Sequence, residues 1–320
     1  MIFDLPLLLN KPVKIIKMYF LFGIFMFLVL SISLTIIIYE NMNSLVCKNA
    51  LFVRFVHAYT GTGGPQVEPD ENGIFKVKYP GVQRNVYNPL TVATGALKYY
   101  FDYSQNIDKE ESKKKFINSA NWLVENSKEK GEYALWEYDY PWRFYGWISP
   151  PYVSALAQAK GLQVLILAYE LTENEKYLNL SNKIIKSFLI DYDKGGFVSH
   201  ENIGNTSVFL HIIAKPGLPK TYVLNGHTQA LITLWKYYEK THDPLAKGIF
   251  DKGINFLKEN LFKYDSGYWS YYDLMENWSM INYHKGQIQQ LKILYEITKE
   301  PVLKDFADRF EKYLKYIDLK

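Results

Sequence analysis

A four-residue motif occurs three times in this chain, and each copy stands between two amphipathic stretches. Tyr169-Glu170-Leu171-Thr172, Tyr238-Glu239-Lys240-Thr241 and Tyr295-Glu296-Ile297-Thr298 each end an apolar run. A second run follows within a few residues: Glu175 to Leu189, Pro244 to Leu261 and Pro301 to Tyr316. A degenerate first copy spans Leu90 to Tyr103 and Glu111 to Glu125. The second runs lead into glycine-aromatic turns at Lys130-Gly131-Glu132-Tyr133, Asp193-Lys194-Gly195-Gly196-Phe197 and Asp265-Ser266-Gly267-Tyr268-Trp269. One helical hairpin cannot bury its own apolar face, so the hairpins must stack. The repeat therefore predicts an all-α domain over residues 89–320, either a solenoid or an (α/α) barrel or toroid, with short β-hairpin loops.

In a barrel the first helix of each pair is inner and should be apolar nearly all round. Leu162 to Tyr169 and Ala230 to Trp235 meet that demand. The second helix is outer and should carry one charged face. Lys176, Lys183 and Lys186, then Lys247, Lys252, Lys258 and Glu259, supply it. Eleven residues before the tyrosine of each motif stand Gln158, His227 and His284. Two places earlier come Leu156, Asn225 and Asn282. The inner helices are thus expected to start at one level, with polar groups around one mouth. Their free N–H groups would favour an anion there.

The densest polar and aromatic cluster follows. Tyr268, Ser270 and Tyr272 alternate with Trp269, Tyr271 and Asp273, which predicts a strand after the Gly267 turn. Asn282-Tyr283-His284-Lys285 then opens a helix. The 27 tyrosines suit a surface that handles sugars, because the ring stacks on a pyranose face and the hydroxyl hydrogen-bonds. A net charge of +4, scattered along the chain, gives no reason to expect nucleic acid. The single cysteine, Cys47, can build neither a disulfide framework nor a thiolate metal site. No cofactor and no metal are expected.

Met18 to Ile38 is uncharged and almost wholly apolar, long enough to span a bilayer. Lys11, Lys14 and Lys17 precede it and Glu40 follows. The positive-inside bias places residues 1–17 in the cytoplasm and the rest outside, as a single-pass membrane protein. A cleaved signal peptide is the rival reading. Residues 39–88 are expected to be a linker or small β appendage, with a short strand around Ile74, Phe75, Val77 and Tyr79. The loop Gly61-Thr62-Gly63-Gly64-Pro65 lacks the Lys-Ser/Thr of a phosphate-binding loop.

Four stretches together resemble the C-terminal domain of the glucuronyl C5-epimerase family. They are Trp147-Ile148-Ser149-Pro150-Pro151-Tyr152-Val153-Ser154-Ala155-Leu156-Ala157-Gln158, Tyr222-Val223-Leu224-Asn225-Gly226-His227, Asp265 to Leu274, and Tyr283-His284. The resemblance implies an (α/α) barrel, a uronic-acid-containing glycan as substrate and inversion at C5. It places Tyr272 and Tyr283 at catalytic tyrosine positions. The family's Glu-Glu-Tyr-Pro is replaced by Ile213-Ala214-Lys215-Pro216, and the arginine after Tyr-Asp-Leu by Met275. Lys215 is the expected third catalytic group, in the place of the missing tyrosine.

The chemistry fits these residue types. Removing the C5 proton beside a carboxylate makes a dianionic, enolate-like species that needs cations or hydrogen-bond donors. Inversion needs proton transfer on both faces of the sugar. Gln158, Asn225, His227, His284, Lys285, Arg143, Trp147 and Trp269 are the expected substrate-binding set, with His227, His284, Lys215 and Lys285 as sources of positive charge for a tyrosine base. A polysaccharide lyase or hydrolase on the same fold remains open, with Asp273 and Glu276 as its carboxylates. So does a glycan-binding protein that has lost part of its site, and so does a homodimer.

Overall fold

The computed structural model describes residues 66–79, 84–201 and 206–316. The expected membrane span, Met18 to Ile38, lies outside the described residues. Among those described, no helix is long and apolar enough to cross a membrane.

The domain is mainly helical, and the repeated motif is a helix stop. Helices α1 (Pro89–Ser104) and α2 (Lys109–Glu125) form the degenerate first hairpin. Then come α3 (Ala155–Thr172) with α4 (Glu175–Ile184), α5 (Leu224–Thr241) with α6 (Pro244–Asn260), and α7 (Ile281–Thr298) with α8 (Pro301–Tyr313). At the end of α3 the Thr172 hydroxyl donates to the Ala168 carbonyl at 2.6 Å and accepts from the Asn174 amide at 3.4 Å. Thr241 and Thr298 repeat both bonds in α5 and α7. The next residue is left-handed each time, with φ of 55° at Glu173, 53° at His242 and 58° at Lys299. Its amide bonds the carbonyl of the motif tyrosine at 2.7 Å in all three copies. These bonds satisfy carbonyls that a helix end leaves open. Asn174 and Asp243 cap the next helix, and Pro244 and Pro301 sit in first turns, where a missing N–H costs nothing.

Helices α1, α3, α5 and α7 stand side by side as an inner row. Each is backed by its hairpin partner in an outer layer. Eleven of the 18 residues of the inner α3 are buried, including Leu162, Val164, Leu165 and Ala168. The outer α4 and α8 bury one stripe each: Tyr177, Leu180, Ser181 and Ile184 in the first, Leu303, Phe306, Ala307 and Phe310 in the second. The contrast holds for α3, which has inner neighbours on both sides; the inner α7 buries only His284, Gln287, Ile288, Leu291 and Leu294, one stripe like an outer helix.

Short strands gather in the loops ahead of the inner helices. Strands β1 (Gln66–Pro69) and β2 (Phe75–Lys78) make a hairpin against α1, where Phe75 stacks on Tyr99 and occupies the space a side chain at Gly95 would need. The pair β3–β4 (Lys128–Lys130, Tyr133–Leu135) is the loop hairpin foreseen at the Gly131 turn, whereas β9–β10 (Val198–His200, Val208–Leu210) follows the Gly195-Gly196 turn and closes further on. Between them β5 (Glu137–Tyr138) pairs with β8 (Tyr152–Val153), and β6 (Trp142–Arg143) with β7 (Trp147–Ile148). Tyr138, Tyr140, Ile148, Tyr152, Ala157 and Ile213 form the core of this loop layer.

The strand expected at Tyr268 to Asp273 is corrected. The segment makes only isolated bridges, Asp265 with Ser270 and Tyr271 with Trp278. Asp273 turns the chain first: its Oδ1 accepts the amides of Met275 at 2.9 Å and Asn277 at 3.2 Å, and Glu276 takes a left-handed φ of 61°. Such Asx turns compete with extended pairing.

Candidate functional site

Gln158, His227 and His284 do share one register. Each is the fourth residue of its inner helix. Their role differs from the one expected, because all three are fully buried and spend their polar atoms on neighbouring loops. The Gln158 amide binds both the N–H and the carbonyl of Trp136, at 2.9 Å each. His227 accepts the Leu210 amide at Nδ1 (3.1 Å) and donates from Nε2 to the Gly253 carbonyl (3.2 Å). His284 sets Nδ1 2.6 Å from Ser270 Oγ and donates from Nε2 to the Phe310 carbonyl at 2.9 Å.

These are keys that lock each preceding loop, and for both histidines an outer helix, to the inner row. Their polar atoms are spent inside the protein, and the two histidines supply no positive charge near pH 7. Burial pushes His227 down to about 3 and His284 to about 4, so both are neutral near pH 7. Trp269 is likewise interior: its ring stacks on His284 at 3.6 Å between centroids and its Nε1 donates to the Ser279 carbonyl.

Tyr272 and Tyr283 stand elsewhere. Neither α5 nor α7 has a side-chain N-cap. For α5 the backbone of Tyr272 serves instead: its carbonyl accepts the Leu224 amide at 3.0 Å, and the Leu274 amide reaches the Thr221 carbonyl at 3.2 Å. This clamp fixes Tyr272 at the start of α5, while Tyr283 is the third residue of α7. The two rings lie 5.1 Å apart, tilted by 51°. Burial, with Tyr283 beside it, holds the Tyr272 hydroxyl above the ordinary phenol range. Tyr272 thus holds its proton more tightly than an ordinary phenol. Asn225, on the first turn of α5, has a buried Oδ1 with no partner among the described residues. Lys285 is exposed on α7.

Lys215 is tied down by Ser149, to the carbonyl at 2.7 Å and the hydroxyl at 2.8 Å. The antiparallel bridge between Val153 and Ala214 brings these segments together. Ile213 and Ala214, in the place of the family's two acidic residues, are buried apolar packing.

Arg143 and Trp147 face each other across the β6–β7 hairpin, and both are exposed, Trp147 to 64%. At the hairpin tip Tyr145, with a left-handed φ of 53°, donates its hydroxyl to the Asp273 carboxylate. Asp273 is buried, and burial raises its carboxyl above the usual range, although Asn277 and Met275 bonds oppose that. Phe144, Trp147, Tyr192, Leu218 and Met275 line a small cavity of about 130 Å³ beside this contact. Sequence reasoning missed Tyr145. Its partner lies 128 residues away, and nothing local marks it. It also missed the cluster of Tyr79 with the buried Tyr140 and Tyr152, whose hydroxyls interact with one another.

Residues 129–312 match the family model described as D-glucuronyl C5-epimerase C-terminus. An uncharacterized protein of Methanocaldococcus jannaschii is 29% identical over 232 residues, covering 69% of this chain and 74% of that protein. The D-glucuronyl C5-epimerase of Caenorhabditis elegans is 29% identical over 218 residues, which cover 62% of this chain and 34% of that enzyme. The match thus spans about a third of the worm protein's length. Among solved structures, the unsaturated glucuronyl hydrolase of Streptococcus agalactiae is similar with a TM-score of 0.45 and 15% identity, over 84% of this chain and 78% of that one.

Proposed function

The chain belongs to the D-glucuronyl C5-epimerase C-terminal family, and on that premise we propose that it inverts C5 of uronic acid residues in a glycan, on a toroid of helical hairpins. The observation that carries this reading is the Tyr272–Tyr283 pair, held at the starts of two adjacent inner helices with rings 5.1 Å apart. A base removes the C5 proton, the electron pair moves into the carboxylate, and an acid returns a proton to the opposite face of C5. Tyr272 is the acid in this scheme, with Tyr283 on the same sugar. Lys215, an ammonium held by Ser149, is assigned to the substrate carboxylate, whose developing charge it offsets. Arg143, Trp147, Asn225 and Lys285 are the remaining binding residues of the proposal. Met18 to Ile38 is proposed to anchor the domain outside the cytoplasmic face.

A glycan-binding protein without turnover is the second reading. It is favoured by the apolar burial of Ile213 and Ala214 in place of the family's acidic pair. Incubation with a glucuronic-acid polysaccharide in deuterium oxide, read by NMR, separates the two. Deuterium at C5 supports the epimerase. An unsaturated chain end points to a lyase, and an unchanged glycan that binds leaves only the second reading.

A further inference from the structure

Away from the tyrosines, a cavity of about 460 Å³ opens between α1, α3 and α5. Helix α1 contributes the ring of Tyr100, α3 contributes Lys160 and Gln163, and α5 contributes Gln229 and Lys236. Lys160 is five residues along α3 from Ala155, about 8 Å below the helix start. Lys236 is twelve residues along α5 from Leu224, about 18 Å below it. Among the described residues no carboxylate lines this cavity. Lys240, at its edge, already has Glu170 at 2.7 Å. Lys160 and Lys236 form no ion pair with any described residue.

That arrangement is unfavourable for Lys160, which is partly buried, while Lys236 is exposed at the rim. A partly buried ammonium with a second one nearby loses hydration and gains repulsion. Both effects, burial first and the Lys236 charge second, hold Lys160 below the usual lysine range. A lysine that only covers apolar surface keeps its charged head in water. Here two cations share a recess with two side-chain amides and a phenol, a donor-rich set suited to an oxyanion.

We propose that the cavity between α1, α3 and α5 is a second anion site, where Lys160 and Lys236 hold a carboxylate or sulfate group of an acidic sugar. The choice of an acidic sugar over a free anion rests on the proposed function; the anion site does not. A glycan bound there would be held at a point distinct from the sugar under Tyr272 and Tyr283.

The test is calorimetric titration of the full-length protein in detergent at low ionic strength. Sodium sulfate is one probe and a glucuronic-acid-containing tetrasaccharide the other. Lys160→Met and Lys236→Gln should each weaken both by about tenfold or more, the scale of one charge-assisted hydrogen bond. Lys160→Arg should retain most of the affinity, and Lys258→Gln, a charge removed from the outer helix α6, should leave sulfate binding unchanged. The free Lys160→Met protein should melt no lower than wild type, which separates lost binding from lost folding. Lysine variants that bind both probes like wild type overturn the proposal. Lysine-dependent binding of sulfate with none of the tetrasaccharide overturns the acidic-sugar assignment. Lysine-dependent tetrasaccharide binding in a protein that never exchanges C5 hydrogen supports this site and counts only against the epimerase reading.

Discussion

The Tyr145 hydroxyl donates to the Asp273 carboxylate, and this one bond joins the β6–β7 hairpin to the loop that carries Tyr272. Asp273 is also the hub of its own turn, through the amides of Met275 and Asn277. The exposed Arg143 and Trp147 are thereby held in fixed relation to the tyrosine pair.

Removing that hydroxyl should free the hairpin without unfolding the domain. Tyr145→Phe is expected to cost about 1–3 kcal/mol, since it takes a donor from the buried Asp273 carboxylate. Hydrogen exchange should speed at the Phe144 amide, which bonds the Gly146 carbonyl across the tip. Unchanged protection there would show that the hairpin holds itself.

Tyr272→Phe and Tyr283→Phe remove a hydroxyl each and almost no volume, so melting temperatures should stay within a few degrees of wild type. If Tyr272 is the proton donor, its variant should lose about a hundredfold or more in C5 exchange. Tyr283→Phe is expected to lose comparably through misplacement of the same sugar. Near wild-type exchange in both variants would reduce the pair to aromatic packing.

The buried histidines make the fold acid-sensitive. An unfolded histidine titrates near 6.5, whereas folded His227 and His284 titrate at about 3 and about 4. Below pH 6.5 the unfolded chain binds protons that the folded chain refuses, so stability falls as pH falls towards those lower values. Each should cost roughly 2 kcal/mol between pH 6.5 and 5. Urea midpoints across that range measure the slope. A His227→Gln variant should start less stable at pH 7 and show a shallower decline. A variant that declines as steeply as wild type would mean His227 is not the buried neutral group described.

Gly226 is a packing requirement of α5. A β-carbon there would lie 1.7 Å from Cγ2 of Ile212. Gly226→Ala should destabilise by about 1–3 kcal/mol, the usual range for overpacking. Ile212→Ala in the same chain should restore part of that loss, giving a favourable coupling energy in a double-mutant cycle. Simple additivity would place the strain elsewhere.

The hairpins, their order and the level at which the inner helices start are legible in the local pattern of the chain. Those features depend on short-range bonds. Thr172, Thr241 and Thr298 each contact residues four before and two after, so the same letters give the same helix stop wherever they occur. The register of Gln158, His227 and His284 followed from the same local regularity, and the family resemblance singled out Tyr272 and Tyr283. Only the tertiary structure decided what those side chains touch. A histidine has the same pattern in sequence whether it meets a ligand or the carbonyl of Gly253, and that carbonyl lies 26 residues away. The strand expected at Tyr268 to Asp273 failed for a related reason. Alternation allows an extended ladder, but a ladder needs a partner strand, and Asp273 turned the chain before one was reached. The pairings that shape the site, Tyr145 with Asp273 and Lys215 with Ser149, join segments 128 and 66 residues apart. Nothing in the spacing of one segment encodes the other; packing of the hairpins brings them together.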